Sequence, residues 1–128
     1  MPYVTTLTES DLDFGKRVTE QLNAAGFAFS GSFWLFDDNA SDWQLIVATD
    51  LVDKVGPRDT YLQLARAISN VGGSDFQRLR LTVMSPKESL YQALRKVFGT
   101  TKSVEGARLQ NTTLSGNLVP DAYLYRIQ

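Results

Sequence analysis

Apolar residues in this chain recur first at helical spacing, then at every second position, and then change back more than once. The changes fall at Gly26, Gly56-Pro57, Gly72-Gly73, Ser85-Pro86 and Gly99. A helix shows its apolar face with a period near 3.6 and a strand with a period of two, so the chain must build both kinds of element. Phe14, Val18, Leu22 and Ala25 predict a helix over 8–25, with Thr8 or Ser10 as its cap, acidic residues in its first turn and Gly26 as its stop. Phe27 to Asp37 reads as a strand. Phe27, Phe29, Phe33 and Leu35 face one way, Trp34 and Phe36 the other. A polar turn, 37–42, leads to a second strand over 43–49, giving a hairpin.

Pro57 suits a first helical position, and Tyr61, Leu64, Ala65, Ile68 and Val71 make the stripe of a second helix. Leu79, Leu81 and Val83 alternate with polar residues as a half-buried strand. Ser85-Pro86-Lys87-Glu88 matches a capping box, with Ser85 as cap of a third helix carrying Leu90, Ala93, Leu94, Val97 and Phe98. Two last strands, 107–114 and 122–127, flank Ser115-Gly116-Asn117. The order α-β-β-α-β-α-β-β predicts an α+β or α/β fold, with one five-stranded mixed sheet and its helices mainly on one face. The strand–helix–strand units are expected to be right-handed crossovers between parallel strands. If sheet order follows chain order, both crossover helices share a face. The other face then lacks a cover and presents Trp34, Phe36, Arg78 and Arg80 to a partner.

At 128 residues, with 43% hydrophobic and 21% charged residues, the chain is expected to form one globular domain over 1–128. It has no Cys and no His, which excludes disulfides, thiol nucleophiles, thiolate metal sites and the commonest general base. No cationic and apolar leader and no membrane-length apolar run occur, so the expected location is the cytoplasm, away from membranes.

The near-neutral total charge of −1 hides an asymmetry. Residues 1–77 hold five basic and eleven acidic residues, a net −6, and residues 78–128 hold eight basic and three acidic, a net +5. Such a split fits attraction between the halves within one fold, head-to-tail packing of copies, or a polyanion-binding face. The basic residues are scattered, and no short Lys/Arg-rich run occurs.

Tests for chemistry are mostly negative. Metal-dependent phosphoryl transfer needs carboxylates on one strand face, or an acid-x-Lys triplet. Asp37 and Asp38 are adjacent, so they point to opposite faces, and Asp53-Lys54 lacks the intervening residue. Ser85 and Lys87 are two apart, not three as in acyl-serine enzymes. No phosphate-binding glycine loop is present. One constellation remains. Lys54, Gly56 and Arg58 stand at the start of the second helix, and Ser85 and Lys87 at the start of the third, where backbone N–H groups could hold an anion. Asp50, Asp53 and Asp59 oppose it.

These readings predict a small soluble interaction module rather than an enzyme, with no cofactor and no metal. It is expected to pair with copies of itself through the uncovered sheet face or a free edge strand, most simply as a homodimer, and could take another protein as partner. The alternative is a nucleic-acid- or phosphate-binding protein, or an enzyme subunit, using the basic C-terminal half. The two separate on whether Arg78, Arg80, Arg108 and Arg126 share one face or pair with the acidic half.

Overall fold

The computed structural model describes residues 7–37, 42–69, 80–99, 106–114 and 116–128. Helix α1 (Glu9–Ala24) opens on a complete capping box. The Thr8 hydroxyl accepts from the Asp11 amide at 3.1 Å, and the Asp11 carboxylate accepts from the Thr8 amide at 3.0 Å. The helix ends at Ala25, and Gly26 then takes φ +73°. Strands β1 (Gly31–Asp37) and β2 (Asp42–Ala48) form the expected antiparallel hairpin, pairing Gly31 with Ala48 and Asp37 with Asp42. Helix α2 (Leu51–Ala67) then leads to β3 (Leu81–Met84), which pairs parallel with β2. Helix α3 (Ser89–Phe98) leads to β4 (Ala107–Leu114) and β5 (Asn117–Ile127), an antiparallel pair.

The sheet order is β3-β2-β1-β5-β4, a five-stranded mixed sheet. The first crossover, β2-α2-β3, joins neighbouring parallel strands as expected. The second does not. From β3 the chain passes through α3 to the opposite edge, where β4 runs antiparallel to β3. Two of the three described helices share a face: Phe14, Val18 and Leu22 of α1 and Leu64 of α2 enclose Trp34, Trp43, Leu45, Val47 and Tyr125. Helix α3 covers the other face, with Tyr91 and Leu94 against Phe33, Ile46, Ala122 and Leu124. The expectation that both crossover helices share a face is therefore corrected, because sheet order does not follow chain order.

The uncovered face is corrected with it. Within β1, Phe33 and Leu35 separate from Trp34 and Phe36 as the alternation predicts, but Phe27 and Phe29, expected beside Phe33, precede the strand and pack with Trp34, and each face has a helical cover. Trp34 is 0% exposed beneath α1, and Phe36 is half-buried, edge-on to Trp43 at 5.6 Å between ring centres. A register shift between β1 and β5 at Ser32/Phe33 adds a residue to β5 and turns Tyr125 under α1. Its hydroxyl donates to the Leu12 carbonyl at 2.7 Å and accepts from Trp34 Nε1 at 3.1 Å. Gly15 makes room for it, since a methyl group there would fall on the Tyr125 ring and hydroxyl.

Several boundaries also differ. β1 starts at Gly31 rather than Phe27, and β5 at Asn117 rather than Ala122. A helical turn precedes the break at Gly56 (φ +87°, ψ +162°), and Pro57 opens only the longer part of α2. Helix α3 starts at Ser89, with Glu88 as cap, not at Ser85. Ser85-Pro86-Lys87-Glu88 forms a turn closed by the Glu88 amide on the Ser85 carbonyl at 3.1 Å. Serine at the first and proline at the second position of a β-turn fit as well as a capping box does.

Candidate functional site

Arg80 belongs to the interior. Its guanidinium donates to Asp11 Oδ1 at 3.1 Å from Nη1 and to the Trp43 carbonyl at 3.0 Å from Nε. It lies 3.5 Å from Asp42 and stacks 4.9 Å above the Trp34 ring. Both partners of the Arg80–Asp11 bridge have side chains less than a tenth exposed. So Arg80 and Trp34, read from the sequence as interface residues, hold α1 to the sheet. Arg78 lies outside the described residues. Arg80, Arg108 and Arg126 all lie against rings of the cluster on the α1 side of the sheet, and Arg80 there pairs with the acidic half. Arg108 stacks 5.6 Å over Trp43, while Arg126 stacks 4.4 Å over Phe29 and reaches Asn23. Arg80 joins the basic half to the acidic one.

The Ser85–Asp53 contact brings the two expected helix starts together, but two of the five residues read as an anion site, Lys54 and Ser85, are engaged by the protein's own carboxylates. Lys54 pairs with Asp50 at 3.4 Å, both side chains more than half exposed. The Ser85 hydroxyl donates to Asp53 Oδ2 at 2.8 Å and accepts from the Lys87 amide at 3.1 Å. The protein's own carboxylate thus occupies the position an external anion would take beside Ser85. Gly56 supplies the break in α2, and Arg58 is exposed just beyond it.

Lys87 instead lines an open cleft of about 680 Å³ between α3 and the β4–β5 turn, together with Ser89, Gln92, Arg95, Lys96 and Asn117. Ala93, buried in the helix, forms its floor. The helix places these groups by its period, since Ser89, Gln92, Ala93 and Lys96 stand at positions i, i+3, i+4 and i+7 of α3. The Ser89 hydroxyl donates to Asn117 Oδ1 at 3.1 Å, tying the helix to the turn, and Gln92 Nε2 donates to the Pro86 carbonyl at 2.6 Å. No carboxylate is among the described lining residues, so the cleft carries three positive charges and a row of neutral hydrogen-bonding groups. The sequence held the signal in the helical spacing of Ser89, Gln92 and Lys96. What it lacked was the position of Asn117, which depends on where the crossover from α3 ends.

Tyr91, on the inner side of α3, bonds to the Gln128 backbone through its hydroxyl, accepting from the amide at 3.2 Å and donating to the carbonyl at 3.0 Å. Burial raises its pKa above the ordinary 10.0, while the Gln128 amide, Arg95 and Arg126 act in the other direction. Among the described residues, no group of three acidic side chains is placed to hold a metal ion, and no helix is long and apolar enough to cross a membrane.

Comparisons of the chain with protein-family models, with curated proteins and with solved structures give no match. The functional reading rests on the geometry alone.

Proposed function

We propose that this protein is a non-enzymatic interaction module that pairs with a second copy of itself along β4. The supporting observation is the outer edge of that strand. β4 is eight residues long, stands last in the sheet order, and pairs with β5 in an unshifted register from Ala107–Leu124 to Leu114–Asn117. Edge strands are usually blunted by shortness, proline, lysine or a bulge. β4 contains no proline or lysine, and its one charged residue, Arg108, lies near its end. Such an edge is a template for strand addition, and a two-fold pair is the commonest way for a chain to satisfy it. Of the two surfaces expected for self-pairing, the sheet face and a free edge strand, the edge is the one left, since Trp34 is enclosed.

Antiparallel pairing about a two-fold axis placed at Asn111, near the middle of β4, would set Gln110 opposite Thr112 of the second copy. Light scattering at micromolar concentration is expected to give twice the chain mass. Gln110→Lys combined with Thr112→Lys brings like charges face to face across the pair, and is expected to return the mass to that of one chain with an unchanged circular dichroism spectrum. A parent protein of single-chain mass overturns the proposal, as does a double variant that keeps the doubled mass.

A further inference from the structure

We infer that the cleft between α3 and the β4–β5 turn is a binding site for an extended acidic peptide segment of a partner protein. The inference is independent of pairing along β4. It starts from charge. In a chain with a net charge of −1, three cations line one cleft and no carboxylate is among its described lining residues. The described ion pairs use Arg17, Lys54 and Arg80, and none involves Lys87, Arg95 or Lys96. Clustered charge of one sign raises the local concentration of a ligand of the other.

Spacing then narrows the ligand. Ser89 and Lys96 are seven residues apart on one helix, about 10 Å at 1.5 Å per residue. Lys87 stands beyond the Ser89 end, and Arg95 adjoins Lys96. The cleft therefore has cations at both ends and Ser89, Gln92 and Asn117 between them. A peptide in polyproline II conformation rises about 3.1 Å per residue and returns to the same side every third residue, so acidic residues three apart sit about 9 Å apart. Two such carboxylates match the Ser89–Lys96 span, where the long side chains of Lys87 and Lys96 reach them from either end, and the backbone amides between them face the neutral polar row. That row is already fixed, because Gln92 is held by the Pro86 carbonyl and Ser89 by Asn117.

The lining also decides against a nucleic acid. Single-stranded binders stack bases on aromatic side chains, and no aromatic residue is among the described residues that line this cleft. The site is open to solvent along its length, which suits a segment laid across it.

Fluorescence anisotropy on the full chain tests the inference. The probe is a labelled, proline-containing octapeptide with two glutamates three positions apart. Its controls carry one glutamate, two adjacent glutamates, or glutamines throughout. The spaced pair is expected to bind tightest, and removal of either glutamate to weaken binding about five-fold, the worth of one exposed charge pair. Lys87→Ala with Lys96→Ala is expected to abolish the preference for the spaced pair. Both side chains are exposed, and the doubled mass should persist. Arg58→Ala with Lys54→Ala removes the same charge elsewhere and is expected to leave binding within two-fold, by the small worth of remote surface charges. Equal binding of all four peptides, or binding unchanged by loss of Lys87 and Lys96, overturns the inference. An oligothymidine of equal charge that binds more tightly than the spaced peptide also overturns it, in favour of nucleic acid.

Discussion

Asp11 serves two structures with one carboxylate. Oδ2 completes the cap of α1, and Oδ1 accepts from Arg80, which stands near the start of the basic half of the sequence. Removing one member of a buried pair leaves the other charge without its partner and costs about 3–5 kcal/mol. Arg80→Leu is therefore expected to lower stability by that order in urea unfolding. Arg80→Lys should recover little, because a single ammonium cannot fork between Asp11 and the Trp43 carbonyl. Tyr91 gives a pH signature. Its raised pKa means that the folded state favours the neutral phenol. Below the ordinary value of 10.0 both states are neutral and the stabilisation is fully present. As pH rises through about 10 the unfolded chain ionises first, and stability falls until the folded pKa is passed. Tyr91→Phe should cost about 1 kcal/mol at neutral pH through its lost hydrogen bonds, and should lose less stability than the parent between about pH 9 and about pH 11. Thermal melts across that range would measure both.

Among the elements, Gly56 sets the bend in α2. Its φ of +87° with ψ of +162° is a conformation that glycine alone adopts readily, and nothing lies within 4 Å of where a Cβ would stand. Gly56→Ala is expected to cost about 1–3 kcal/mol through the backbone alone, measurable as a lower urea midpoint. What was legible in the sequence at this scale was the type and order of elements. Thr8, Gly26 and the Phe14-Val18-Leu22 stripe place α1, and β4 spans the expected 107–114. The misplacements have identifiable causes. Ser85-Pro86-x-Glu88 fits a turn and a helix cap equally, and local chemistry alone does not choose between them. At the Trp34 and Phe36 face the period was right and the cover was missed, because periodicity reports which side chains share a face but not what packs on it. The candidate site was least legible. Lys87 was singled out, yet its companions come from the outer face of α3 and from a turn thirty residues further along.

At the scale of the molecule, the two charge halves meet in only part of their surface. Arg80 crosses to Asp11 and Asp42, and Ser85 to Asp53, while Lys87, in the turn before α3, and Arg95 and Lys96, on it, line one cleft. The fold thus absorbs some of the asymmetry as internal attraction, sets Arg108 and Arg126 over aromatic rings on the α1 side, and gathers Lys87, Arg95 and Lys96 along the cleft. The sheet order carries a separate consequence. β5 lies between β1 and β4, and its pairing with β1 joins Trp34 to Tyr123 across nearly ninety residues of chain. During vectorial synthesis β1, β2 and β3 leave the ribosome well before β5, so the hairpin's inner edge must wait unpaired beside Phe33 and Trp34. Chains whose closing contact is this remote fold slowly and expose strand edges meanwhile. The nascent chain therefore passes through a stage at which a holding chaperone, or a neighbouring nascent copy, competes for the seat that β5 will occupy.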